Sequence, residues 1–336
     1  MGTAGTDAAG KDARNGGGRS GDAAGKVAFL FPGQGSAAIG MGDALAAESP
    51  AAQAILDQLG ALAPAIRELA QAGPREELIR TTNAQPAIFA VDCACYAALV
   101  DRGVRPDIVA GHSLGEYAAL VAAGVLDVAT GLPLVLQRGA LMEQSTSARP
   151  GTMLAILGAD PADVDATIDA WQQKGIIANA NDNAPGQVVI SGDVETLKAA
   201  TADFKAIGAR VMDLPVGGAF HSPLMADGEA AFLPVLDGAP FKDGRIPVVS
   251  NFTATPAQTA EDVKAALRRQ ITGRVRWRES IEAMLAFGVD TFIEAGPGKV
   301  LSGLALRCAR GQNVQVTVLN VEDPASLAKT LAALNA

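Results

Sequence analysis

Two short runs, apolar after a charged first residue, each break into a glycine-bearing turn that opens onto a helical stretch. They are KVAFLF (26–31), running into PGQG, and DIVAG (107–111), running into HSLGEYAALVAAG. A strand covered on both faces reads as a continuous apolar run instead of an alternating one. Helical stretches lie at about 51–59, 64–71, 85–102 and 114–124, between and after these runs. Strands alternating with longer helices predict an α/β protein built on a mostly parallel sheet.

The middle of the chain departs from that pattern. A strand is expected over 152–158, a helix over 161–174, and short strands over 176–180 and 187–191 joined by a turn at 181–186. A helix over 193–207 and a strand over 209–214 follow. The order β-α-β-β-α-β is ferredoxin-like and predicts a small inserted domain over 150–216. The larger pattern resumes with helices near 222–237, 260–271, 277–287 and 299–310 and strands at 246–250 and 290–294. The expected organisation is a large domain of 26–149 plus 217–336 around the insert.

Composition narrows the classes. Of 336 residues, 49% are hydrophobic and 19% charged, as in a globular chain with a sizeable core. Lys plus Arg is 27 against 36 Asp plus Glu, which argues against a dedicated nucleic-acid binder. Three cysteines suggest no disulfide framework and fit a reducing cytoplasm. Two histidines make a Cys/His zinc site improbable. Residues 1–25 are Gly-rich without an apolar run, so they are expected to form a disordered tail and not a signal peptide. The most apolar stretch, YAALVAAGVLDVATGLPLVLQ, is broken by Asp127 and Pro133 and reads as a buried helix pair, not a membrane span.

GHSLG (111–115) matches G-x-S-x-G, in which two glycines permit a tight strand-to-helix turn that exposes the Ser113 hydroxyl. The helix behind it supplies unpaired N–H groups. A serine nucleophile needs a base. His112 adjoins Ser113 on a turn where neighbouring side chains diverge, and reads as a packing residue. That leaves His221, where the small domain rejoins the large one. FPGQGS (31–36) lacks the third glycine of a dinucleotide fingerprint, because position 38 is Ala38. It suits either an oxyanion hole or a plain strand-end turn. Between Tyr117 and Met142 the only formal charges are Asp127 and Arg138. Arg138 therefore pairs with Asp127 or grips an external carboxylate with its planar fork.

Taken together, FPGQGS, GHSLGEY, Arg138 25 residues past Ser113, AFHSPLM and EAGPGKVL resemble the malonyl-CoA:acyl carrier protein transacylases. They are similar as well to the acyltransferase domains of fatty acid and polyketide synthases. The resemblance covers about residues 26–335. It implies an α/β-hydrolase-like large domain with a ferredoxin-like small one, Ser113 as nucleophile and His221 as base. It further implies an oxyanion hole from the Gln34 and Leu114 amides, Arg138 binding the malonyl carboxylate, and a Gln270 carbonyl orienting His221. Phe220 beside that histidine resembles malonyl-selective members.

The implied reaction is ping-pong acyl transfer from malonyl-CoA to holo acyl carrier protein by a monomeric cytoplasmic enzyme, with no metal or redox cofactor. Carrier proteins are acidic, and so is this chain, so docking needs a local basic patch. Arg268, Arg269, Arg274, Arg276 and Arg278 surround Gln270 and could receive the carrier or the CoA phosphates, or could instead form internal ion pairs. A serine esterase is the rival of different chemistry. It would place an acid side chain on His221, with Asp182 and Asp213 as candidates. A non-catalytic carrier-binding subunit is a further rival, opposed by the intact Ser, His, Arg and Gln positions.

Overall fold

The computed structural model describes residues 25–335. The expected tail, except for Gly25, lies outside the described residues. The chain begins with β1 (Lys26–Phe31) and passes through helices α1 (Asp43–Glu48), α2 (Pro50–Leu62), α3 (Pro64–Ala72) and α4 (Arg75–Leu78) to the long α5 (Thr81–Asp101). Then come β2 (Ile108–Gly111), α6 (Gly115–Ala123) and α7 (Val128–Ala148). The middle segment is β3 (Thr152–Leu157), α8 (Pro161–Gln172), β4 (Ile177–Ala184), β5 (Gln187–Gly192), α9 (Val194–Ala206) and β6 (Arg210–Asp213). The last segment opens with α10 (Ala226–Gly238), β7 (Val248–Val249), β8 (Pro256–Ala257), α11 (Ala260–Leu267) and α12 (Trp277–Ala286). It closes with β9 (Val289–Ala295), α13 (Val300–Gly311), β10 (Thr317–Val321) and α14 (Pro324–Leu334).

These strands make two sheets. The larger runs β10-β9-β1-β2-β7-β8, with parallel neighbours throughout except for the antiparallel β7–β8 pair. The smaller runs β4-β5-β3-β6 and is antiparallel throughout. Ala28 to Phe31 and Ile108 to Ala110 are fully buried, because helices cover both faces of the larger sheet. On one face Phe29, Phe31 and Val109 pack into a core shared with α2, α5, α6 and α7. On the other, Leu30 and Ala110 meet Trp277, Ile281, Leu301 and Leu304 of α12 and α13. Each such Leu or Phe side chain contributes about 2 kcal/mol when taken out of water. Helix α5 is long and apolar enough to cross a membrane, but 78% of that stretch is buried against the rest of the fold.

Local signals set the helix ends. Ser49, Asp127, Asp193 and Asp323 each accept a backbone N–H in the first turn of the helix that follows. Asp127 is thereby engaged as the N-cap of α7, and Arg138 is not its partner.

Three expectations change. Residues 181–184 were expected in a turn but continue β4, leaving only Pro185 and Gly186 between the strands. The backbone there is paired on both sides: Asp182 N donates to the Val275 carbonyl at 2.9 Å, and Val275 N to Ala180 at 2.8 Å. Asn and Asp favour turns because their side chains compete for local backbone. Here those side chains are instead directed at distant partners. The strand expected over 246–250 is two residues long, and α10 starts only after a single 3-10 turn at Pro223–Met225. Finally, β10 and α14 were not anticipated. β10 is a half-exposed edge strand with no clear apolar run, whereas Asp323-Pro324 and Ser326 did carry a capping-box signal.

Candidate active site

Ser113 stands on the turn between β2 and α6 with φ 53°, in the left-handed region. Only glycine fits on either side of it. A Cβ on Gly111 would come within 1.9 Å of the Gly115 carbonyl, and one on Gly115 within 2.1 Å of the Phe31 carbonyl oxygen. Asn251, just past β7, fastens the turn. Its Oδ1 accepts from Ser113 N at 2.6 Å, and its Nδ2 donates to the Gly111 carbonyl at 2.6 Å. These bonds offset the roughly 1–2 kcal/mol that a left-handed serine costs.

His221 is 3% exposed and also left-handed, with φ 56°. Its Nε2 lies 2.8 Å from Ser113 Oγ. Its Nδ1 faces two main-chain carbonyl oxygens, Gln270 at 3.0 Å and Gly273 at 2.9 Å. Nδ1 carrying the proton leaves Nε2 as the acceptor for the serine hydroxyl. Burial, with Arg138 and His112 nearby, pushes the imidazole down to about 3, so it is neutral at pH 7. Among the described residues no acid side chain is hydrogen-bonded to it. Asp182 is engaged by Arg274 and Arg278, and Asp213 lies on the edge strand β6.

Arg138 is completely buried on α7. Its Nη1 donates to Gln85 Oε1 at 2.7 Å, and its Nη2 to Gln270 Oε1 at 3.0 Å and Ser113 Oγ at 3.2 Å. Its Nε has no hydrogen-bond partner among the described residues, and Tyr117 presents its ring 5.6 Å from the guanidinium carbon. A buried guanidinium without a carboxylate in contact is costly.

The turn after β1 presses on the serine turn: a Cβ on Gly33 would lie 2.4 Å from the His112 carbonyl oxygen and 3.7 Å from Leu114 N. Neither the Gln34 nor the Leu114 N–H is engaged by a main-chain acceptor among the described residues. Gln34, Ser113, His221 and Phe220 line a cleft of about 400 Å³ whose wall includes Met142, Met153, Val189, Leu214 and Leu304. His112 turns the other way, with Nε2 2.9 Å from Asn183 Oδ1 and its ring beside Trp277.

The arginine stretch divides. Arg274 and Arg278 both bind the buried Asp182, at 3.0 and 2.8 Å, and Arg276 is paired with Glu279. Arg274 and Arg278 thus tie the segment entering α12 to β4, while the Arg276 pair lies within the start of α12; all three form the internal ion pairs that were the alternative to docking. Arg268 and Arg269 are exposed, the first paired with Asp237 and the second over the Phe252 ring. None of the five lines the cleft.

Sequence reasoning missed Gln85, Glu116, Asn251 and Gly273. Glu116 carried the one available signal, as a carboxylate inside an otherwise apolar helix. The others are single amides or glycines whose partners lie over a hundred residues away or, for Gln85 and Gly273, about fifty.

The acyl transferase domain family matches residues 28–320. The malonyl CoA-acyl carrier protein transacylase of Bacillus subtilis is 41% identical over 305 residues, covering 90% of this chain and 95% of that protein. The acyl-carrier-protein S-malonyltransferase of Burkholderia pseudomallei superposes with a TM-score of 0.85 at 40% identity, covering 91% of this chain and 99% of that one. A malonyl-transacylase in complex with its type II polyketide synthase acyl-carrier protein superposes at 0.87 with 37% identity, covering 92% and 99%.

Proposed function

The chain belongs to the acyl transferase family, and we propose that it moves a malonyl group from malonyl-CoA to acyl carrier protein through an ester on Ser113. The observation that carries this reading is the double contact at Ser113 Oγ: His221 Nε2 at 2.8 Å, and the buried Arg138 Nη2, which has no carboxylate in contact, at 3.2 Å.

In the first half-reaction Ser113 Oγ attacks the thioester carbon of malonyl-CoA while His221 Nε2 takes its proton. The oxyanion is received by the Gln34 and Leu114 amides, which have no competing main-chain acceptor. The tetrahedral species collapses, the C–S bond breaks, and the CoA sulfur leaves with the proton from His221. In the second half-reaction the phosphopantetheine thiol gives its proton to His221 and attacks the ester. The Ser113–acyl bond then breaks and Ser113 recovers its proton. Arg138 takes the free malonyl carboxylate, which orients the thioester carbonyl over Ser113. The paired carbonyls of Gln270 and Gly273 hold the imidazole in its useful tautomer, the role that an acid side chain fills in a triad.

The domain reading is of an α/β-hydrolase-like body, 26–149 with 217–336, and a ferredoxin-like insert over 150–216. The strand order β4-β5-β3-β6 within a β-α-β-β-α-β segment supports the insert. Phe220 at the cleft wall disfavours an α-methyl group on the acyl chain by about 1–3 kcal/mol. Arg268 and Arg269 remain the candidates of that stretch for carrier docking. The same chemistry serves fatty acid and polyketide synthesis, and the likeness to a polyketide carrier's transacylase supports either setting. A hydrolase reading is opposed by the carbonyl partners of His221.

The test is intact mass spectrometry of the protein mixed with malonyl-CoA, with and without holo acyl carrier protein. The expected result is a malonyl adduct, absent in Ser113→Ala, that discharges to the carrier and not to water. Rapid loss of the adduct without carrier would establish a hydrolase instead.

A further inference from the structure

Glu116 opens the first turn of α6, three residues past Ser113, and is 2% exposed. The acyl-transfer steps assign it no task, yet the hydrogen bonds of the site converge on it. Its Oε2 accepts from Gln270 Nε2 at 2.7 Å and its Oε1 from Asn251 N at 3.3 Å. The same Gln270 amide donates to the Ser113 carbonyl at 2.8 Å and accepts from Arg138 Nη2 at 3.0 Å. A carboxylate only accepts, so Glu116 obliges the Gln270 NH₂ to face it and turns the amide oxygen toward Arg138. Arg138 itself touches only Gln85, Ser113 and Gln270 through its guanidinium donors. The carboxylate whose charge acts on it is Glu116, one amide away.

The charged and titratable groups around Glu116 are Arg138 on α7, Tyr117 beside it on α6, and His221, which reaches the Gln270 carbonyl. Burial holds His221 down at about 3 and pushes Tyr117 far up, so neither exchanges a proton near neutrality. Burial raises Glu116 to about 7, so Glu116 does.

We propose that Glu116 is a positioning residue that tunes, through Gln270, how strongly Arg138 takes the free carboxylate of the acyl group. This rests on the malonyl reading above. Ionised Glu116 offsets the field of Arg138 and opposes a second carboxylate there. A malonyl carboxylate at Arg138 puts two negative groups around one cation, and Glu116 answers by taking up a proton. An acetyl group brings no such charge.

The decisive measurement uses the unaltered protein: proton uptake at pH 7 in weak buffer with a pH indicator, as Ser113 is acylated from malonyl-CoA or acetyl-CoA. Acyl exchange between serine and thioester is itself proton-neutral there, since the released thiol keeps its proton. Uptake of about half a proton per malonyl ester is expected, and none per acetyl ester. The ratio of KM for malonyl-CoA to that for acetyl-CoA should rise about fivefold from pH 6 to pH 8. In Glu116→Gln, which keeps an acceptor for Gln270 and removes the charge, both effects should vanish. Equal proton uptake from the two donors, or a wild-type KM ratio that ignores pH, overturns the inference. Should Glu116→Gln fail to fold, the wild-type proton count decides alone. If Ser113 takes no malonyl adduct, the acyl-transfer reading falls instead, and if Arg138→Ala keeps the malonyl-to-acetyl preference, Arg138 does not take the carboxylate and the inference falls with it.

Discussion

Ser113 and His221 meet at 2.8 Å, and each does so from left-handed backbone, with φ 53° and 56°. Neither is a residue type that adopts this conformation freely. The contact is made from two bends, one where β2 enters α6 and one where the chain returns from the small sheet. The strain is local and has measurable consequences.

Ser113→Gly and Ser113→Ala should both abolish the acyl adduct, but they should differ in stability. Glycine relieves the left-handed strain, so Ser113→Gly should unfold at a higher temperature than Ser113→Ala, by about 1 kcal/mol. Thermal unfolding of the two variants side by side measures this. Equal melting temperatures would mean that the turn stores no strain.

His221 carries a pH signature. Its folded-state value, about 3, lies below the ordinary 6.5, mainly through burial. Its contribution to stability is present above about pH 6.5 and is lost as pH falls toward 3, because unfolding then binds a proton. His221→Gln should lose less stability than the unaltered chain between pH 7 and pH 4, by a few kcal/mol. Acylation should not show an imidazole inflection near pH 6.5. A rate with acetyl-CoA that falls to half as pH drops through 6.5 would contradict the buried neutral imidazole.

Arg138→Ala should reduce acylation by malonyl-CoA roughly a hundredfold, the loss of a charged hydrogen-bonded partner. Acetyl-CoA should lose less or gain. Single-turnover acylation with each donor distinguishes the two, and a parallel loss would show that Arg138 serves Ser113 and not the carboxylate.

Asp182 braces α12 to β4 through Arg274 and Arg278 while wholly buried. Asp182→Ala removes the buried partner of two partly buried guanidinium groups, leaving them Asp165 and Glu282, and should cost about 2 kcal/mol in denaturant unfolding. Charge reversal at Arg268 and Arg269 should leave stability nearly unchanged. It should raise KM for the carrier protein if they receive it, and an unaltered KM would remove them from the docking surface.

Asp92, in the middle of α5, is fully buried, and neither carboxyl oxygen has a hydrogen-bond partner among the described residues. Burial first, and Glu294 second, hold its proton on well above the usual carboxylate range. A raised folded value means stability present below about pH 4 and eroded as pH rises. Asp92→Ala should therefore raise the melting temperature, and by more at pH 8 than at pH 5. A gain that is equal at both pH values would mean that the carboxyl is not protonated in the fold.

Much of the fold was legible because the chain repeats its intentions locally. The runs at 27–31 and 108–111 carry no polar side chain, as strands covered on both faces must. The glycines around Ser113 mark a turn that no side chain could replace. Where reading failed, local preference was outvoted. Asn181 to Ala184 have turn composition, but backbone pairing with Val275 and the ion pairs of Asp182 draw them into β4. The arginines at 274–278 look like a basic patch in one dimension and are neutralised in three. β10 escaped notice because an edge strand needs only one buried side.

The sequence by itself determined the alternating layers, the exposed serine turn, and which histidine was free to serve it, since these follow from short-range spacing and side-chain type. Only the tertiary structure decided that Arg138 faces Ser113 and not Asp127, that main-chain carbonyls hold His221, and that Glu116 stands behind Gln270. Those choices depend on which buried polar groups find partners across the fold, and desolvation penalises every alternative in which they do not.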